Sequence, residues 1–196
     1  MSYNACLVLA DYSCNSCPTP EKGRIRHVAY TERALTKQDT FDPTSAQDWY
    51  DLICNDYARI IYDVRGNYDG STAVEGPGYG SLMTRMLSRN HQVVYNHLFD
   101  CDNVDFYNDL AKSNSKEFWW TNGSKLFRST NPSFAFAQSP ISDDLNTDIE
   151  YVVTVKWSHE DLPTCYDLPA NIFESCEVGA LLSDCYTCNP VSIITC

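Results

Sequence analysis

Hydrophobic and polar residues alternate along much of this chain, which is the pattern of strands with one buried face. The clearest case runs from Ile149 to Trp157, where every second residue is aliphatic or aromatic and the other face includes Glu150 and Lys156. Less regular runs predict further strands, bounded by glycine, proline or asparagine. These strands are expected at 24–31, 58–64, 82–87, 91–99, 117–121, 124–128 and 133–138.

Two segments have helical spacing instead. Asp42-Pro43 is a helix-start signal, with Asp as the cap and Pro at the first helical position, and it predicts a helix over 43–54. A second short helix is predicted over 102–113. Helices do not alternate with strands, so a parallel α/β fold is disfavoured. We expect a mainly β protein: an antiparallel β-sandwich or barrel with two short helices and extended terminal arms.

The strongest local signal is a hairpin in which Asn122-Gly123 separates two apolar runs. This pair predicts a two-residue turn in which both residues have positive φ. The first run, Phe118-Trp119-Trp120, places a large aromatic side chain on each face of its strand. With one face in the core, Trp119 and Trp120 are predicted at a subunit interface. An aromatic sugar-binding platform is the alternative interpretation.

The organisation predicted from the sequence is an N-terminal arm over 1–23, a β-sandwich domain over 24–158 and a cysteine-rich tail over 159–196, with a short helical piece around 170–182. Inside the domain, residues 66–80 are rich in glycine and predict a long loop. It ends in Gly76, Pro77, Gly78, Tyr79 and Gly80 but lacks the spacing of a nucleotide-binding loop. We therefore predict that these five residues contact a neighbouring subunit.

Charge and cysteine content narrow the functional classes. With 14 Lys+Arg against 26 Asp+Glu the net charge is −12, which argues against general nucleic-acid binding and against docking on anionic lipid. No apolar run approaches the ~20 residues of a membrane span, and none resembles a signal peptide. Export is therefore not expected, and the ten cysteines are interpreted as thiols or metal ligands more readily than as disulfides.

Two Cys-x-x-Cys pairs could supply a tetrahedral zinc site if the termini meet. They are Cys14 with Cys17 and Cys185 with Cys188. The favoured interpretation is free thiols in two arms, without metal or other cofactor, and disulfides remain a third outcome. His91 and His97 are expected on one face of a strand, where they are interpreted as half-buried neutral side chains. Metal binding together with Asp100 or Asp102 is the alternative.

In order along the chain, the motifs are the Cys14-x-x-Cys17 arm, Gly23-Arg24-Ile25-Arg26-His27-Val28-Ala29, Asp42-Pro43 with Trp49, the glycine-rich segment, and Phe118-Trp119-Trp120 closing on Gly123. This order resembles virion structural proteins of crAss-like phages that infect gut Bacteroides, over roughly residues 10–157. The resemblance implies a tail- or neck-ring subunit with a tail-tube-like β domain, in which a long loop links adjacent subunits. It implies no catalytic residues.

The expected function is therefore non-enzymatic: a virion protein, made in the host cytoplasm, that forms a homo-oligomeric ring and contacts other virion proteins such as portal, ring or tail components. A head decoration or fibre-anchor protein is the alternative within this class. A carbohydrate-binding module or hydrolase, using Trp119, Trp120 and the Asp100 to Asp105 region, is the alternative from a different class, as is a small zinc protein.

Overall fold

The computed structural model describes residues 24–38, 40–78, 80, 84–98, 104–112, 115–138 and 149–173. In this part of the chain the helices are α1 (Arg33–Thr36), α2 (Ala46–Cys54) and α3 (Val104–Lys112). The strands are β1 (His27–Glu32), β2 (Ala58–Ile61), β3 (Arg65–Pro77), β4 (Thr84–Leu98), β5 (Lys116–Thr121), β6 (Lys125–Arg128), β7 (Ser133–Gln138), β8 (Glu150–His159) and β9 (Thr164–Asp167).

The strands form two antiparallel sheets, which confirms the predicted mainly β, sandwich-like fold. The first sheet has the order β2-β1-β5-β6-β9 and the second has the order β3-β4-β8-β7. Central pairings are long-range: β1 pairs with β5 from His27 opposite Thr121 to Glu32 opposite Lys116. The strictly alternating segment is β8, whose odd-numbered residues from Tyr151 to Trp157 are buried. The period-2 pattern therefore located both the strand and its buried face.

The main core lies between the two sheets and is unusually aromatic. It contains side chains of β1, β4, β5 and β8 together with Tyr107 and Leu110 of α3. Three tyrosine hydroxyls meet in it: Tyr30 hydrogen-bonds Tyr95, and Tyr95 also interacts with Tyr107. Burial raises the pKa of Tyr30 and Tyr95 well above the usual range, because a phenolate has no solvation there.

A second core covers the outer face of the first sheet. Trp119 of β5 meets Trp49 of α2 edge-to-face at 5.4 Å, and Trp49 meets Phe173 at 5.1 Å. Ile172 and Phe173 are buried here, after β9 has joined β6. The predicted domain end at residue 158 is therefore too early, since residues 164–173 complete both a sheet and a core. The predicted helical piece at 170–182 lies mostly outside the described residues.

The helix predicted over 43–54 exists but begins later, at Ala46. Ser45 is the N-cap: its hydroxyl oxygen accepts the Asp48 backbone N–H at 3.3 Å. Asp42 instead closes a turn by accepting the Thr44 N–H at 2.9 Å. The predicted cap at Asp42 is wrong because Asp42 and Ser45 both have a side-chain oxygen that can cap a helix, and Ser45 is the one that adjoins the first helical residue. The second predicted helix corresponds to α3, and the short α1 was not predicted.

The turn between β5 and β6 also differs from the prediction. Gly123 has a φ of +91°, but Asn122 is not among the described residues with positive φ. The Asn122 side-chain oxygen accepts the backbone N–H groups of Ser124 and Lys125, each at 2.9 Å. The connection is thus an Asx-type turn over 122–124. The hydrogen bonds to the asparagine side chain close this turn, so Asn122 does not need the positive φ that was predicted for it.

The predicted glycine-rich loop over 66–80 is wrong for most of its length, because residues 65–77 form strand β3. Glycine is needed here for close approach across the ladder. A Cβ on Gly66 would lie 2.7 Å from the Tyr95 Cβ and 2.8 Å from the Val94 carbonyl oxygen. The alternating Tyr68, Thr72 and Val74 favour a strand, so the glycines accommodate cross-strand side chains instead of interrupting the sheet.

Candidate assembly surface

The β3–β4 hairpin extends beyond the sheet to which it belongs. Along β4, pairing with β8 stops where Arg89 lies opposite His159, whereas pairing with β3 continues to Thr84 opposite Pro77. Residues 74–77 and 84–88 therefore form a two-stranded extension, called here the ribbon. A two-stranded hairpin is at best marginally stable in water without a face to pack against.

The ribbon presents apolar side chains to solvent. Val74, Met86 and Leu87 are 36%, 43% and 45% exposed, and they are three of the five large hydrophobic residues exposed in the described chain. The ladder also shifts register between Val74 and Glu75, which leaves Leu87 without a direct partner across it. Exposed apolar side chains concentrated on one projection are typical of an interaction surface.

Four of the five residues predicted to contact a neighbour are described, and they lie at the end of the ribbon. Gly76 and Pro77 end β3, Gly78 follows it, and Gly80 has a φ of +64°. Leu87 packs over Gly76, where a Cβ would lie 2.6 Å from the leucine Cδ1. Tyr79 lies outside the described residues. The interface assignment of this segment stays a prediction, now placed on a projecting hairpin.

The prediction that Trp119 or Trp120 is exposed at an interface is wrong. Their exposed fractions are 0% and 3%. Trp120 faces the main core and stacks on Phe127 at 5.6 Å, while Trp119 faces the second core and donates its indole N–H to the Thr31 hydroxyl at 2.9 Å. Both strand faces are covered because α2 and residues 172–173 pack on the outer one. The sugar-binding platform is excluded by the same burial.

Where the ribbon joins the sheet, aromatic rings hold His91 in place. His91 stacks on Trp157 at 5.1 Å, and its Nδ1 hydrogen-bonds the Tyr68 hydroxyl at 2.8 Å. Its Nε2 lies 3.2 Å from the His159 carbonyl oxygen. Burial lowers the pKa of His91, in agreement with a neutral structural side chain. Asp100 and Asp102, the suggested metal partners, lie outside the described residues.

The first sheet contains a buried carboxylate, that of Glu117 in β5. Glu117 Oε2 lies 3.6 Å from Arg33 Nε and 3.5 Å from an Arg128 guanidinium nitrogen. The glutamate side chain is 3% exposed, against 19% and 21% for the two arginines. Arg128 also lies over the Trp119 ring at 5.0 Å. This geometry is that of a structural ion cluster, with guanidinium groups compensating a buried charge.

The cysteine predictions fall largely outside the described residues, including all of Cys14, Cys17, Cys185 and Cys188. Cys54, the last residue of α2, is disulfide-bonded, so the expectation of a thiol is wrong at this position. Within the described ranges, no group of three or more metal-ligating side chains is placed to hold an ion. No helix of those ranges is long and apolar enough to cross a membrane.

No protein-family model, no curated protein and no solved structure matches the chain.

Proposed function

We propose that this protein is a non-enzymatic structural subunit of a phage virion that assembles into a ring in the tail or neck. The observation that supports this proposal best is the ribbon, because it projects from the sandwich and exposes Val74, Met86 and Leu87. In a ring, the ribbon of one subunit packs on the sandwich of the next. That contact is heterologous, because two different surfaces meet. The ring closes when a whole number of subunits completes one full rotation.

Two further features are consistent with assembly. The motif order in the sequence resembles that of crAss-like phage virion proteins, in which a loop links neighbours. The net charge of −12 suits the wall of a channel through which DNA slides, because an acidic surface repels phosphates. Location in the virion, and contacts with portal, ring or tail proteins, are parts of the same proposal.

The first experiment measures the mass of the full-length protein by light scattering, with a ribbon variant in parallel. We expect the wild type to form a closed oligomer and Met86→Ser/Leu87→Ser to be monomeric. Burying a Leu or Met side chain contributes roughly 1.5–3 kcal/mol, so losing both weakens each contact by at least about a hundredfold. The control is Tyr57→Ser, since Tyr57 is 46% exposed and directly precedes β2, which belongs to the other sheet.

The control variant should keep the oligomer, and circular dichroism should show that both variants are folded. A ribbon variant that still forms the full ring would contradict the role of the ribbon. A wild-type monomer that is also absent from particles would end the assembly proposal altogether. Image reconstruction of virions separates a tail or neck ring from a head decoration or fibre anchor.

A further inference from the structure

A pocket of about 500 Å³ opens at the end of the sandwich where the chain enters β1 and β3. It is lined by Arg24, Arg26, His27, Asp63, Val64, Arg65 and Asn122. Its volume lies within the ~300–1,000 Å³ range of small-molecule sites. The chain has a net charge of −12, but this pocket has three arginines and a single carboxylate. Its local charge is therefore opposite in sign to that of the whole protein.

Backbone pairing brings the three guanidinium groups together. Ile25 forms an antiparallel bridge with Gly66, which sets Arg26 beside Arg65. Arg24 lies two residues before Arg26 and therefore on the same side of the chain. Arg26 is held at both backbone groups: its N–H donates to Thr121 O, and its carbonyl oxygen accepts from Val64 N, each at 2.8 Å. Like charges placed beside each other on adjoining strands are unfavourable unless something compensates them.

No described acidic residue forms an ion pair with these arginines. The ion pairs seen in the described ranges involve Arg33, Arg59, Lys116, Lys125 or Arg128, and none of them includes Arg24, Arg26 or Arg65. Asp63 lines the same pocket without approaching any of the three guanidinium groups to ion-pair distance. The pocket thus has a surplus of positive charge that its own described side chains leave uncompensated.

His27 adds a directed hydrogen-bond donor to this surplus. It is 3% exposed, and its Nδ1 accepts the Asp63 backbone N–H at 3.1 Å. A neutral imidazole that accepts at Nδ1 carries its proton on Nε2. Nε2 has no partner among the described residues and is not among their fully enclosed unsatisfied atoms. The ring makes an edge contact with Tyr62 at 5.5 Å, and His27 is one of the residues that line the pocket.

We propose that this pocket binds a small phosphate-bearing molecule. Arg26 and Arg65 hydrogen-bond the phosphate oxygens, and Arg24 adds positive charge at the edge of the pocket. His27 donates its Nε2–H to a further phosphate oxygen. Planar guanidinium groups match phosphate oxygens in a bidentate fashion. The pocket exceeds the size of a bare phosphate ion, so the remainder holds the organic part of the ligand. The Asn122 turn and Asp63 border that part.

The test is a titration of the full-length protein at low ionic strength, followed by nuclear magnetic resonance. The probes are inorganic phosphate, a sugar monophosphate, and chloride at matched ionic strength. We expect saturable shifts of the His27 ring and of the amides around residues 24–26, 63–66 and 122, with the sugar monophosphate binding more tightly than phosphate. The pKa of His27, which burial lowers in the free protein, should rise when phosphate binds, because the imidazolium gains an anionic neighbour.

Arg26→Gln and Arg65→Gln should each weaken phosphate binding by about tenfold or more, as expected for the loss of one charge-assisted contact. The matched control is Arg89→Gln, which removes the same charge from β4 opposite His159 and should leave binding unchanged. Equal weakening by all three variants, or non-saturable shifts, would overturn the proposal in favour of general charge screening. Tighter binding of short single-stranded DNA than of the sugar monophosphate would overturn the small-molecule assignment. The oligomeric mass is measured separately, so failure here leaves the ring proposal untouched.

Discussion

Removing the Tyr95 hydroxyl tests the polar cluster inside the main core. Tyr95 is 0% exposed and hydrogen-bonds Tyr30, which is 1% exposed, while it also interacts with the equally buried Tyr107. Tyr95→Phe keeps the ring and removes one oxygen. The buried Tyr30 and Tyr107 hydroxyl groups then both lose the oxygen that Tyr95 supplies.

The size of the effect follows from the position of Tyr95 between the other two. A buried polar group left unsatisfied costs about 1–3 kcal/mol. Tyr95→Phe affects two such groups and should cost about 2–6 kcal/mol of unfolding free energy. Tyr30→Phe leaves Tyr95 in contact with Tyr107 and should cost about 1 kcal/mol. For a chain of this length, each kcal/mol lowers Tm by about 2–4 °C.

Urea denaturation measures these differences, provided that the slope of free energy against denaturant is the same in each variant. The double variant Tyr30→Phe/Tyr95→Phe should cost less than the sum of its parts, because removing both partners leaves fewer unsatisfied groups. Tyr57→Phe is the control, since Tyr57 is 46% exposed. Equal losses for Tyr30→Phe and Tyr95→Phe would refute the central position of Tyr95.

Two further predictions concern alkaline stability and glycine packing. Burial raises the pKa of Tyr62 from 10.0 to about 12, and its hydroxyl donates to the Ile172 carbonyl oxygen at 2.9 Å. The folded state holds this proton more tightly than the unfolded state, so its contribution is complete below pH ~10, and about 3 kcal/mol is lost as pH rises to ~12. Tyr62→Phe should flatten the measured alkaline loss of stability, and an unchanged slope would contradict the assignment. Gly66→Ala should cost about 1–3 kcal/mol, because its Cβ meets the Val94 backbone oxygen, whereas Gly76→Ala meets only the Leu87 side chain and should cost less. Thermal melts compare the two, and equal losses would argue against backbone contact as the cause.

The sequence predicted the fold class because local patterns report which face of a strand is buried. The strict alternation of β8 and the apolar spacing of α2 were both reliable for this reason. The same patterns do not report what covers a second face. Trp119 was assigned to an interface because nothing local shows that Trp49 and Phe173, distant in sequence, pack on it.

The glycines of β3 illustrate a second limit. Gly66, Gly70 and Gly76 were interpreted as loop residues from composition, yet each faces a side chain or backbone group of the hairpin. A glycine can allow an unusual backbone conformation in a loop, or it can leave room for a neighbouring strand. Which of the two applies depends on the register of strand pairing, and composition does not report that register. The guanidinium pocket was likewise not predicted, because Arg26 and Arg65 meet only through the bridge of Ile25 with Gly66. The spacing of Arg24 and Arg26 was the only available signal.

The packing of Phe173 on Trp49 also constrains how the protein is made. β1 and α2 are synthesised early, but the second core stays open until residues 164–173 have left the ribosome. Until then the nascent chain presents Trp49 and Trp119 to solvent, and β6 has an unpaired edge, both of which favour aggregation. Chains that stall before residue 173 should therefore depend on chaperones more than the finished protein does. Pulse-labelled nascent chains would show this as chaperone association that ends once Phe173 has emerged.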